Sequence, residues 1–176
     1  MTALLFGKLP AHGDFVARGL SAAEQADWDA RLSAAMQAAR DAFGDAFEDR
    51  FAAAPPWRCV LADGDGWLAG VLAPSIDRAG RIFPILLARR IADRAAASGL
   101  AAMCEDLLFA ALPGGWSADE LLRQAEAADP AAVAAEGPDG WWLDGAELLP
   151  DPPAPVPGPF PPDLISRMIA VTEQLA

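Results

Sequence analysis

Three short apolar runs stand close together in the middle of the chain: Trp57 to Ala62, Trp67 to Ala73 and Ile82 to Ile91. All three are largely apolar, with Arg58 in the first and Arg89-Arg90 near the end of the third, and the second and third are rich in Leu, Ile and Val; at these lengths they read as buried strands. Asp63-Gly-Asp-Gly66, between the first two, is a turn sequence and predicts a β-hairpin. Parallel pairing needs a crossover of about a dozen residues, and neither connection offers one. The runs therefore predict an antiparallel meander.

Around the meander the pattern is helical. Ala3 to Phe6 reads as a first strand, ended by Gly7. Ser21-Ala-Ala-Glu24 fits a capping box, in which Ser and Glu satisfy each other's free amides at a helix start. Trp28, Leu32, Ala35, Ala39 and Phe43 follow as one apolar stripe, and Gly44 interrupts it before a further helical turn toward Phe51. Leu100 to Leu112 is amphipathic and is ended by Pro113-Gly-Gly115. Ser117-Ala-Asp-Glu120 opens another helix with a second capping box, and Asp129-Pro130 stops it. Gly140 to Leu143 reads as a short edge strand. Trp141 and Trp142 would point to its opposite faces, with packing the expected role and one exposed contact the alternative.

Pro150 to Pro162 holds eight prolines in thirteen residues, an extended strap without the donors that sheet or helix requires. A last helix, Asp163 to Leu175, repeats Leu164, Met168, Val171 and Leu175 and should dock on the core. The prediction is a single α+β (mixed α/β) domain with a central, mainly antiparallel sheet of about five strands and helices packed on its faces. Residues 1–149 form its core, 150–162 the strap and 163–176 the docked helix.

The net charge of −12 argues against nucleic acid and anionic lipid as partners. No apolar run approaches the roughly 20 residues of a membrane helix, and the N-terminus lacks the marks of a signal peptide, so a cytoplasmic protein is expected. Cys59 and Cys104 lie in apolar runs and read as buried reduced thiols.

Two connections carry more chemistry than turning requires. Pro74-Ser-Ile-Asp-Arg-Ala-Gly-Arg-Ile-Phe-Pro84 holds Ser75, Asp77, Arg78 and Arg81 where Gly80 and one proline would suffice. Gly7-Lys-Leu-Pro-Ala-His-Gly-Asp-Phe15 gathers Asp14 with the chain's only lysine, Lys8, and its only histidine, His12. Solvated loop charges, and an internal bridge from Asp77 to an arginine, are the plain structural readings. A hydrolase or ligand-binding domain using Ser75, His12 and an aspartate is the catalytic alternative, but Ser75 lacks the Gly-x-Ser-x-Gly setting. Lys8 lacks the upstream glycine of a phosphate-binding loop, and one histidine is poor material for a metal centre. An interaction module fits better, because arginine forks on a fixed loop bind carboxylate or phosphate at reduced entropic cost. The candidate partner-binding set is Lys8, His12, Asp14, Ser75, Asp77, Arg78 and Arg81, with no catalytic residue, metal or cofactor. Within it, Asp77 is expected to fix the loop and Arg78 or Arg81 to meet the partner.

Phe6-Gly-Lys-Leu-Pro-Ala-His-Gly-Asp-Phe15, Trp28-Asp29, Pro56-Trp57-Arg58 and Pro74 to Pro84 together resemble the TagF (ImpM) family of type VI secretion-associated proteins. Trp141-Trp142 and the proline-rich approach to the final helix extend the resemblance over most of the chain. It implies a mixed sheet flanked by helices. It also implies a bacterial, cytoplasmic accessory protein that represses type VI secretion after translation, through a forkhead-associated scaffold of the threonine-phosphorylation pathway. Sequestering such a scaffold requires a recognition surface and no catalysis.

Overall fold

A computed structural model describes residues 2–130 and 137–175. Its core is a six-stranded sheet in which every pairing is antiparallel. The strands are β1 (Ala3–Gly7), β2 (Val16–Arg18), β3 (Trp57–Asp63), β4 (Gly66–Ala73), β5 (Ile85–Ile91) and β6 (Gly140–Trp142), in the order β2-β1-β5-β4-β3-β6. The meander is β3-β4-β5, as its short connections require. β1 joins it along β5, with Phe6 opposite Leu86 and Gly7 opposite Ile85.

Among the described residues five α-helices accompany the sheet: α1 (Ala22–Phe43), α2 (Phe47–Ala53), α3 (Arg94–Gly114), α4 (Ala118–Ala127) and α5 (Leu164–Leu175). The strands alternate between two buried faces. Leu4, Phe6, Trp57, Cys59, Leu72 and Leu86 meet Leu32 and Met36 of α1, Phe47 and Phe51 of α2 and Met168 of α5. Leu5, Val60, Val71, Ile85 and Leu87 meet Leu100, Cys104 and Leu108 of α3 and Leu121 of α4. A sheet covered on both faces explains why its strands read as continuous apolar runs. The α3 helix has the length and hydropathy of a membrane span, but 56% of that window is buried inside the fold. Both cysteines are buried and unbridged, and burial pushes the Cys104 thiol up to about 12.

Several boundaries differ from the sequence reading. A sixth strand, β2, lies at the sheet edge, where Arg18 Nε donates to Asp119 of α4 over 2.9 Å. The run beginning at Ile82 enters the sheet only at Ile85, because Pro84 has no N–H to give a ladder. Ile82 instead pairs with Ile76 in an isolated bridge, which closes the charged connection on itself. The α3 helix starts six residues before Leu100, capped by the Asp93 side chain on the Ala95 N–H, and carries Pro113 in its last turn. The box at Ser21 forms in full. At Ser117 only its first half forms, since the Glu120 carboxylate is held by Arg123 and Gln124. Both Trp141 and Trp142 are buried, whereas Leu175 is half exposed.

The proline-rich strap covers the edge strand. Val156 and Trp141 exchange both backbone hydrogen bonds at 2.8 Å, and Trp141 Nε1 donates to the Pro159 carbonyl over 3.2 Å. Phe160 sets its ring edge-on between Trp28 and Trp141, with centroids 5.9 and 5.7 Å away. Phe160→Ala should therefore loosen the strap and lower unfolding stability by about 2 kcal/mol, less than a fully buried phenylalanine would. Urea denaturation checks the magnitude, and a red-shifted tryptophan emission checks that Trp141 has gained water.

Candidate functional site

The two charged connections meet on one face. Because Gly7 lies opposite Ile85 in the β1–β5 ladder, the chain leaving β1 and the chain entering β5 emerge side by side. The Arg78 N–H donates to the His12 carbonyl over 2.8 Å, and Arg81 Nη2 donates to the Gly13 carbonyl at the same distance.

Asp77 is the centre of this junction, with its side chain fully buried. One carboxylate oxygen accepts the N–H groups of Ala79 and Arg81, both at 2.9 Å. The other faces Arg81 Nε at 2.7 Å and Lys8 Nζ at 3.1 Å. Burial alone would raise this carboxyl, but the Arg81 backbone N–H and the Lys8 and Arg81 side chains together outweigh it. They hold Asp77 well below its ordinary value of 3.8. Gly80 supplies the turn, at φ +81°, and its N–H returns to the Asp77 carbonyl.

The remaining candidates divide by what they touch. Lys8 is buried and committed to Asp77, with its ammonium 5.2 Å from the Phe15 ring centroid. His12 Nε2 accepts the Ala118 N–H over 2.9 Å, which satisfies a free amide in the first turn of α4 and pins that helix to the loop. Ser75 is buried, and its hydroxyl makes only a long 3.5 Å contact to the Ile76 carbonyl. No hydrogen bond joins Ser75 to His12 among the described residues. Asp14 is exposed and accepts the N–H of Phe15.

Asp77 thus fixes the loop as the sequence implies, and Arg81 belongs to the same bracing. Arg78 differs. It is exposed, with Nη2 just 3.1 Å from where a Cβ on Gly13 would stand, and among the described residues its guanidinium has no hydrogen bond or ion pair.

Two residues outside the predicted set belong to this face. Phe15 is 46% exposed and rests edge-on against Phe83 at 4.8 Å. Ile76 is 43% exposed. Both sit beside charged motif residues, and the signal that would have found them is a large apolar side chain inside a loop otherwise built of Gly, Pro and charge.

With this geometry in place, comparison with known proteins is informative. A family model described as the TagF N-terminal domain, type VI secretion system-associated, matches residues 5–128, a span that includes both connections. Among solved structures, the chain is similar to PA0076 from Pseudomonas aeruginosa PAO1, with 31% sequence identity and a TM-score of 0.60. That match covers 78% of this chain and 64% of the other, so the chain spans under two thirds of PA0076. No curated protein matches.

Proposed function

The chain belongs to the TagF N-terminal domain family of type VI secretion system-associated proteins, and on that premise we propose that it is a non-catalytic, cytoplasmic regulator that represses secretion by binding a protein partner. The observation that carries this reading is one face on which, among the described residues, the Arg78 guanidinium has no partner while Lys8 and Arg81 are spent on bracing Asp77. Desolvated arginines and aromatic anchors supply most of the energy of protein interfaces, and Phe15 stands on the same loop pair as Arg78. A forkhead-associated scaffold of the threonine-phosphorylation pathway is the partner proposed from the family resemblance. A hydrolytic reading has less support, because the His12 ring nitrogen that a base would use already accepts the Ala118 N–H.

The test is capture of that scaffold from a strain carrying the secretion apparatus, read alongside effector release. Arg78→Ala should weaken capture roughly 30-fold and restore effector release, with an unchanged melting temperature. Unaltered capture and unaltered repression would remove Arg78 from the interface. Loss of a measurable turnover in Ser75→Ala or His12→Ala would overturn the non-catalytic reading.

A further inference from the structure

Beside the charged face, an apolar groove runs past the end of β4. One lobe, of about 310 Å³, lies between Pro10, Ile76, Ile82 and Phe51. A second, of about 120 Å³, extends along α3 to Leu108 and Phe109. Ala52, Pro74 and Leu112 line both lobes, so the two adjoin. The two helical layers part here, with α2 over one face of the sheet and α3 over the other. Its rims are unusual for a water-facing surface, since Phe109 is 60% exposed on one and Ile76 is 43% exposed on the other. Among the described residues that line it, the single charged side chain, Glu105, is bonded to Arg58 at 2.5 Å.

We propose that this groove is a docking site for an apolar segment of a partner protein that carries large aliphatic anchors followed by a glutamate or aspartate, with the carboxylate received by Arg78. The inference rests on the interaction reading above and names the chemistry of the partner. Charge decides the occupant. A groove with no free charge among its described lining takes apolar side chains, and Arg78, two residues beyond Ile76 and without an ion pair among the described residues, calls for an anion at that end. Phosphate recognition draws on clusters of arginines, whereas Arg81 and Lys8 are consumed by Asp77 and leave a single fork, which matches one carboxylate. A second copy of the chain is disfavoured by its net charge of −12.

The probe is a fluorescein-labelled peptide of about 15 residues, with a leucine at every third or fourth position and one glutamate after the last, followed by fluorescence anisotropy. The intact chain should bind it, with amide NMR shifts confined to the groove and the Pro74–Pro84 loop. Replacing the glutamate by glutamine should weaken binding about 10-fold and by lysine further, the loss of one charge-assisted hydrogen bond. Phe109→Glu should abolish binding without unfolding an exposed position, and Arg78→Glu should reverse the preference toward the lysine peptide. No binding at millimolar peptide would overturn the proposal, as would equal affinity for all three peptides or full binding by Phe109→Glu. Preference for a phosphothreonine peptide over the glutamate one would overturn the carboxylate assignment, and concentration-dependent dimerisation blocked by Phe109→Glu would give the groove to a second copy. If Arg78→Ala loses scaffold capture while Phe109→Glu keeps it, the groove fails and the interaction reading stands. If neither variant affects capture, the interaction reading fails as well.

Discussion

Asp77→Ala is expected to lower the melting temperature at neutral pH by about 10 °C, because it breaks a buried ion pair from one side. The lost carboxylate leaves the buried Lys8 ammonium facing no anion, and it frees Arg81 and the N–H groups of Ala79 and Arg81 together. Calorimetry of the two proteins measures the shift. The double variant Lys8→Met with Asp77→Ala should recover part of it, since removing both partners of a buried pair removes the orphaned charge. The pH dependence has a definite sign. Asp77 is held ionised in the fold, so its contribution is complete above its ordinary value of 3.8 and is given up as the pH falls below that value. The gap between wild type and Asp77→Ala should therefore be constant from neutral pH to about pH 5 and should narrow on further acidification. A gap of the same size at pH 3 would mean that Asp77 does not act as a carboxylate in this junction. Scaffold capture should fall in parallel, because Arg78 hangs from the backbone that Asp77 braces.

The same residues show how much of this was legible in the sequence. The meander was legible because its short connections leave antiparallel pairing as the one choice, and the strap because proline forbids alternatives. β2 was not: Val16-Ala-Arg18 is too short to show a period. It exists because Gly19 turns the chain at φ +69° and Arg18 finds Asp119 across the fold. That the two connections form one face was not legible either. It follows from the pairing of β1 with β5 over nearly eighty residues, a register that local pattern does not encode. Asp77 could be read as a loop brace from its neighbours, but that Arg81 rather than Arg78 joins the brace needed the positions of Gly13 and Lys8. The groove escaped notice for the opposite reason. Phe109 falls in an apolar helical stretch where burial is the ordinary expectation, and its exposure appears only when α2 and α3 are placed.

Two glycines show what close packing adds to backbone strain at this face. Gly80 has φ +81° and open space around it, so Gly80→Ala should cost only the strain of an L-residue in that region, about 1 kcal/mol. Gly7 has φ +135°, and a Cβ there would stand 2.0 Å from the Pro84 carbonyl oxygen and 2.9 Å from the Ile85 Cα. Both are backbone atoms, so no side chain can swing aside. Gly7→Ala must push the end of the Pro74–Pro84 connection away from β1, or open the Gly7–Ile85 end of the ladder. The expected loss is at least about 4 kcal/mol, in the range reserved for severe backbone or core damage. Urea denaturation should thus show Gly80→Ala close to wild type and Gly7→Ala strongly destabilised. Scaffold capture should follow the same order even at temperatures where Gly7→Ala remains folded, because the displaced loop no longer holds Arg78 beside Gly13. If Gly7→Ala folds with wild-type stability, β1 and Pro84 do not approach as described, and the two connections do not share one rigid face.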